Sequence, residues 1–299
     1  MPFNPGIPPK KIRQDYDLFF VVCMFPKDLL HIRAIDGWKE HCKTSICWLN
    51  EIWISEFFKY RSFLKALSEF DHVILNLSHS VNGINKVIGG KCFYLPPGTD
   101  AIQFCPYPEA PRRFIDVYSI GRRSQETHRC LLRMANDKKI FYVYDTIDGE
   151  GVLNPNEHRF LLANMAKRSR YFMVNPGKID SPDETKGQIE VGPRYFEGAA
   201  AGAIMIGEYP NNSAFTENFS WPDAVIHLPF GSDIIDTIIT ELDKQPDRQA
   251  KIRRDNVVES LLRHDWVYRW EKVLETVGLA PMPGLLERKK RLEILSRLV

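Results

Sequence analysis

Apolar runs of strand length alternate with amphipathic stretches of helix length from one end of the chain to the other. After an extended arm over residues 1–14, Leu18 to Met24 is the first run that reads as a buried strand. Pro26 stands at the head of a predicted helix over Lys27 to His41. A second strand is predicted at Thr44 to Leu49, and a helix near Ser55 to Phe70 sets Phe57, Leu64 and Leu67 on one stripe. Third and fourth strands follow at His72 to Leu77 and Lys91 to Leu95, parted by a short polar segment. This alternation predicts a parallel sheet covered by helices.

A turn rich in proline, glycine and aspartate, Pro96 to Asp100, precedes a second series of the same kind. The series opens with Ile115 to Gly121, after which Arg122, Arg123 and Ser124 lead into a helix ending near Asn136. A strand ending in glycine, with arginines entering the next helix, favours a phosphate, although the full G-x-G-x-x-G is absent. Further strands are predicted at Lys139 to Tyr144, Tyr171 to Val174, Ala203 to Ile206 and Ala224 to Leu228. Asn156 to Arg168, Ser232 to Lys244, Asp247 to Leu262 and Trp266 to Val277 read as helices, with a short one near Ser213 to Phe219. A polar loop is expected from Asp145 to Pro155, and a second, carrying Lys178 and Lys186, from Asn175 to Pro193. Leu285 to Val299 closes the chain as a basic amphipathic helix.

With 299 residues the chain can bury a large core, and two domains are expected. A formal net charge of +2 with 26% charged residues supplies no global basic field, which argues against nucleic acid as a partner. Six cysteines without C-x-x-C spacing, mostly in apolar runs, are expected to be buried free thiols in a reducing cytoplasm. The proline-rich N-terminus lacks the apolar core of an ordinary signal peptide. No stretch approaches the roughly 18 to 20 apolar residues that cross a bilayer, so any membrane contact is expected to be peripheral. No metal-ligand cluster stands out.

The candidate chemistry concentrates in Gly192 to Glu208. Gly192-Pro193 turns the backbone and starts a helix at Arg194 or Tyr195, and Gly202 ends it. Ala199, Ala200 and Ala201 let that helix lie close to a sheet or a ligand, and Ala203 to Ile206 has the continuity of a strand buried on both faces. Open amides beside Arg194 favour a phosphate, and Glu197 could accept from both hydroxyls of an attached ribose. The macrodipole alone also favours an acid at Glu197, and Arg194 can equally pair with an acid.

Arg194-Tyr-Phe-Glu197-Gly-Ala-Ala-Ala-Gly202 resembles the R-x-F-E-x-x-A-x-G signature of group 1 GT-B glycosyltransferases, particularly their spore-maturation glycosyltransferase-like branch. His264 to Arg269 is similar to that branch's H-x-x-x-x-R. Pro97, Gly98, Asp100, Phe104 and Pro106 look like the family turn that closes the N-terminal domain. The resemblance implies an α/β GT-B fold, two Rossmann-like domains facing a cleft. The N-terminal acceptor-side domain would be abbreviated at 1–110 and the nucleotide-sugar-binding domain would span 111–280. The helix in 281–299 would pack back on the N-terminal domain, its alternative being a solvated helix.

The implied activity is metal-independent transfer of a hexose from a nucleotide-diphosphate sugar, UDP or GDP type, to a glycan or lipid-linked acceptor. The nucleotide sugar enters as substrate, with no cofactor, and a larger glycan-assembly complex would suit the short N-terminal domain. Glu197 would hold the ribose, with the amides of Arg194 and Tyr195 facing the diphosphate. Arg122 or Arg123 beside Gly121, and one of Lys178 and Lys186, would supply fixed positive charge to the leaving group. The base would stack near Tyr144 to Val152. Catalytic candidates are Glu51 after the second strand, His79 after the third, and Glu190. Glu190 lies one position off the family's two-glutamate spacing, which falls on Ile189, and reads by default as a solvated loop acid. His264 is expected to cap the helix ending at Arg263. A nucleotide-sugar epimerase on the same fold and a non-catalytic nucleotide-sugar-binding partner are the alternative readings.

Overall fold

The computed structural model describes residues 6–145 and 154–299. Its elements begin with β1 (Lys10–Lys11), β2 (Tyr16–Cys23), β3 (Ile35–Asp36), α1 (Trp38–His41), β4 (Cys42–Leu49), α2 (Arg61–Leu64), β5 (His72–Leu75), α3 (Val81–Ile88) and β6 (Cys92–Tyr94). Next come α4 (Ala101–Phe104), β7 (Ile115–Ser119), α5 (Gln125–Asn136), β8 (Tyr142–Tyr144), α6 (Pro155–Lys167), β9 (Ser169–Val174), α7 (Pro182–Thr185) and α8 (Pro193–Ala200). The last are β10 (Ile204–Gly207), α9 (Ser213–Asn218), β11 (Ile226–His227), α10 (Ile235–Asp243), α11 (Pro246–Arg263), α12 (Trp266–Thr276) and α13 (Pro283–Arg297).

The chain divides into two compact units. One comprises Met1–Pro96, Ser181–Glu190 and Glu275–Leu279; the other comprises Pro97–Asp180, Val191–Leu274 and Ala280–Val299. These bounds differ from the expected 1–110, 111–280 and 281–299. The Pro-Gly-Asp turn from Pro97 onward belongs to the second unit, and Ser181–Glu190 joins the first.

In the first unit β2, β4, β5 and β6 form a parallel sheet in that order. Cys47, Leu49, Val73 and Leu75 pack with Leu64, Leu67, Phe70 and Ile84 into its core. Three expectations need correction. The helix over Lys27 to His41 is a 3-10 segment, Pro26–Ala34, followed by β3 and α1. The arm strand β1 pairs with β3, and Gly37, at φ +80°, brings its backbone so close that a Cβ would lie 2.7 Å from the Ile12 carbonyl oxygen. That left-handed turn stops a helix from running through. The helix near Ser55 to Phe70 is mostly 3-10 turns around α2. Leu64, Leu67 and Phe70 recur every three residues, the period of a 3-10 helix, so one face can be buried this way. The polar segment between β5 and β6 folds as a 3-10 turn, Ser78–Ser80, and α3, which buries Ile84 and Ile88.

In the second unit five parallel strands run in the order β11-β10-β9-β7-β8. Counted within the unit this is the 2-1-3-4-5 arrangement, whose connections reverse direction between β7 and β9. Ala199, Ala200 and Ala201 of α8 and its C-cap are 0%, 1% and 0% exposed. A Cβ on Gly198 would lie 2.8 Å from the Phe172 ring and 3.0 Å from Met205, so small residues are what let α8 press onto β9 and β10. Helix α13, expected over the N-terminal domain or free in solvent, packs on α11 of the second unit, with Leu292 fully buried. Arg288 on α13 reaches Asp265 Oδ1 at 2.8 Å, Asp265 Oδ2 at 2.7 Å and Asp100 Oδ1 at 2.8 Å. All six cysteines are free thiols. Among the described residues no helix is long and apolar enough to cross a membrane.

Asp265 is 0% exposed, so Arg288→Met strands a buried carboxylate. The variant is expected to lose about 3 kcal/mol of unfolding free energy, read as a lower urea midpoint with an unchanged slope.

Candidate functional site

Ligands of open parallel sheets gather where strand connections reverse, and in the second unit this point is the C-terminal end of β7 and β9. Gly121 lies there, and its N–H donates to both carboxylate oxygens of Asp145 at 3.0 Å. Arg123 Nη2 donates to Asp145 Oδ1 at 3.0 Å, and its guanidinium sits 5.2 Å over the Tyr144 ring. The junction expected to take a phosphate therefore already holds the protein's own acid. Arg122 is paired with Asp180 at 2.7 Å. Tyr144 packs edge-on against His128, 4.7 Å between centroids, and His128 Nδ1 lies 2.9 Å from the Tyr142 hydroxyl. Ser119, Arg123, Thr127, His128, Asn175 and Phe230 line a crevice beside them. The rest of the expected base-stacking stretch, 146–152, lies outside the described residues.

Pro193 starts α8, and Gly192 before it has no side chain to cap the amides of the first turn. Glu197, one turn in, is 2% exposed, and both its oxygens are engaged: Oε1 accepts from Arg159 Nη1 at 2.5 Å and Oε2 accepts from Arg194 Nη1. The expectation that Glu197 stands open to ribose hydroxyls is thus corrected, because a carboxylate this buried must be paired. The Arg159 and Arg194 side chains stay 40% and 26% exposed, and the trio carries one net positive charge. Arg194 Nε lies 3.9 Å from where a Cβ on Gly121 would be, which ties α8 to the β7 junction.

Sequence reading missed Arg159. It comes from α6, its guanidinium lies 5.5 Å over the Phe104 ring, and its contact with Glu197 spans 38 residues, beyond any local spacing rule. The Tyr195 side chain is core: it is fully buried, its hydroxyl donates to the Glu208 carbonyl oxygen at 2.6 Å, and burial pushes its pKa well up. Tyr195 can offer a ligand its amide alone. The two candidate lysines part company, Lys178 lying half-buried in the second unit and Lys186 exposed at the end of α7 in the first.

The first unit holds all three catalytic candidates and brings two of them into contact. Glu190, read as a solvated loop acid, is 2% exposed and lies 3.0 Å from His79 Nδ1. Its side chain also accepts from the amides of Ser78 and His79, at 2.9 and 3.0 Å. The third, Glu51, accepts from Trp53 Nε1 at 2.8 Å.

His264 caps α11 as expected, its ring fully buried against Phe196, Phe219 and Trp221. Nε2 donates to the Asn218 carbonyl oxygen at 2.8 Å. Arg269 donates to the carbonyl oxygens of Pro97 and Arg263, so both motif residues serve packing. Among the described residues no group of three His, Cys, Asp or Glu could hold a metal ion.

Residues 151–275 match the family model described as glycosyl transferase-like. No curated protein matches the sequence. Among solved structures, Anabaena HepE (Alr3699) in complex with UDP-glucose is similar at TM-score 0.57 and 14% identity, over 87% of this chain and 78% of that one. An α,α-trehalose-phosphate synthase (UDP-forming) from Burkholderia vietnamiensis is similar at TM-score 0.58 and 11% identity, over 93% and 74%. A point mutant of S. aureus TarM, with fondaparinux, α-GlcNAc-glycerol and UDP, follows at 0.54 and 10%, over 86% of this chain and 55% of that one. None of these bears on the narrower spore-maturation branch.

Burial, with Arg269 nearby, lowers the His264 pKa from 6.5 to about 3. The folded state then binds fewer protons than the unfolded state between those values. Stability should be full above about pH 6.5, fall by at most about 1.4 kcal/mol per unit as pH drops, and level off near pH 3. Denaturant titrations from pH 7 to 5, where most carboxylates stay ionised, should show this slope, and His264→Gln should flatten it.

Proposed function

We propose that this chain, a GT-B fold whose residues 151–275 match the glycosyl transferase-like family, is a hexosyltransferase. It transfers the sugar of a nucleotide-diphosphate donor to a hydroxyl of a glycan or lipid-linked acceptor, without a metal. The supporting observation is the cluster that Arg194 and Glu197 of the uncapped helix α8 form with Arg159 of α6. Breaking the bond between the anomeric carbon and the diphosphate leaves negative charge on the phosphate oxygens. Fixed guanidiniums and helix amides meet that charge without reorganising, which lowers the barrier.

In this reading Glu197 has two tasks. Its carboxylate holds both guanidiniums in place, and ribose hydroxyls reach it only by sharing its oxygens with them. Gly121, Arg123 and Asp145 form the adjoining wall, Tyr144 borders the base, and Arg122 and Lys178 add charge nearby. Crystals of HepE with UDP-glucose and of a UDP-forming synthase favour a uridine donor over a guanosine one. A place in the cytoplasm and a part in polysaccharide assembly, at a membrane surface or within a larger complex, go with this reading.

Calorimetric titration with UDP, GDP and their hexose conjugates is the direct test, together with product analysis. Arg194→Ala and Arg159→Ala should each weaken nucleotide binding roughly 10- to 100-fold, the loss of one charge-assisted hydrogen bond. Glu197→Ala should weaken it at least as much and lower the melting temperature. Binding unchanged in both arginine variants would place the diphosphate elsewhere. Donor converted to an isomer with no acceptor present would identify an epimerase instead. Tight binding of the conjugates with neither transfer nor hydrolysis would identify a non-catalytic binding partner.

A further inference from the structure

The aromatic side chains between Ile54 and Phe70 of the first unit turn two ways. Phe57, Tyr60 and Phe63 pack against the core of the sheet, so closely that a Cβ on Gly83 would lie 2.1 Å from the Phe57 ring. Phe58 turns outward and is 90% exposed. One exposed apolar residue is ordinary, but this one lies on the wall of an open groove of about 1030 Å³. The groove runs between the 3-10 segment Pro26–Ala34 and α2 with the 3-10 segment Lys65–Glu69, and Leu30, Phe63 and Ala66 give it an apolar lining.

The rest of the wall is basic. Arg33, Lys59, Arg61 and Lys65 face the groove against one acid, Glu69. That acid is already engaged, accepting from Arg33 Nη1 at 2.9 Å and from Lys39 Nζ at 2.7 Å. The exposed side chains of Lys59, Arg61 and Lys65 enter no ion pair among the described residues, and the stretch from Phe57 to Ser68 holds no acid. Three cations on one wall repel each other, and an anionic surface turns that cost into attraction.

An apolar tip among unpaired cations suits a lipid–water boundary. The ring leaves water for the acyl region while the ammonium and guanidinium groups stay with the phosphates. A soluble polyanion would use the cations and leave Phe58 in water.

We propose that this face of the first unit, Phe58 with Lys59, Arg61 and Lys65, docks the protein onto a bilayer rich in anionic phospholipid. The proposal rests on the reading above only in that it gives a surface to the membrane association named there, and it asks nothing of the donor site. Each cation near such a surface contributes roughly fivefold to partitioning, and burial of the Phe58 ring roughly tenfold or more.

Co-sedimentation of the full chain with vesicles tests this. Wild-type protein should pellet with phosphatidylcholine vesicles that carry phosphatidylglycerol as roughly one lipid in three, and should stay in solution with phosphatidylcholine alone. Binding should weaken when sodium chloride is raised from about 0.1 to about 0.5 M, because salt screens the attraction. Partitioning should fall roughly 100-fold in Lys59→Glu/Arg61→Glu/Lys65→Glu and roughly 10-fold in Phe58→Ser. Both variants alter exposed side chains, so their melting temperatures and calorimetric UDP binding should match the wild type. In Phe58→Trp, lipids brominated along the acyl chains should quench more of the fluorescence than they do in the wild type. If wild-type protein binds UDP but not the anionic vesicles, or if vesicle binding is unchanged in both variants, the docking surface is overturned and the transfer reading stands. Heparin bound as tightly as vesicles, with Phe58→Ser equal to the wild type, makes the occupant a soluble polyanion and also overturns it. Vesicle binding that the variants lose, in a protein that binds no nucleotide, supports the surface and overturns the transfer reading instead.

Discussion

The close approach of α8 to its sheet is the constraint that the second unit's chemistry depends on. Glycine at 198 and alanines at 199 and 200 remove the side chains that would hold the helix away from Phe172 and Met205. A helix this deep carries Glu197, one turn in, below the surface, where its carboxylate cannot remain unpaired. Arg194 from the same turn and Arg159 from α6 supply the pairing, and their outward faces carry the surplus positive charge. Packing and electrostatics are thus one arrangement: loosening the helix would free the acid and scatter the cations.

The same logic recurs at the end of β7. A glycine amide and an arginine make an anion site, and Asp145 fills it. An intramolecular acid in such a place keeps the arginine oriented, and an incoming phosphate must compete with it. Recognition of a diphosphate there would be an exchange of anions, which favours a dianionic ligand over a single carboxylate.

The segment Ser181–Glu190 shows how connectivity can mislead. It follows β9 and precedes α8, both in the second unit, yet it is fastened to the first unit through Ile54, Ser55, Ser78 and Ser80. Glu190 is three residues ahead of Pro193, so the stretch that leads into α8 also carries the acid bonded to His79.

Much of the fold was legible in the chain itself. Continuous apolar strands separated by helical stretches dictated parallel sheets, and the alanine-glycine run dictated a closely packed helix, because both are properties of neighbouring residues. The Lys27–His41 segment was not legible, since pairing with a distant strand and a left-handed glycine overrode its local pattern. Site residues divided the same way. Glu197 and Arg194 stood out by spacing, but the partnership with Arg159 across 38 residues, and that of Glu190 with His79 across 111, left no trace in the order of the sequence. Periodicity records which face of an element is buried; which acid meets which cation is decided only when separate elements pack and a desolvated charge must find a partner.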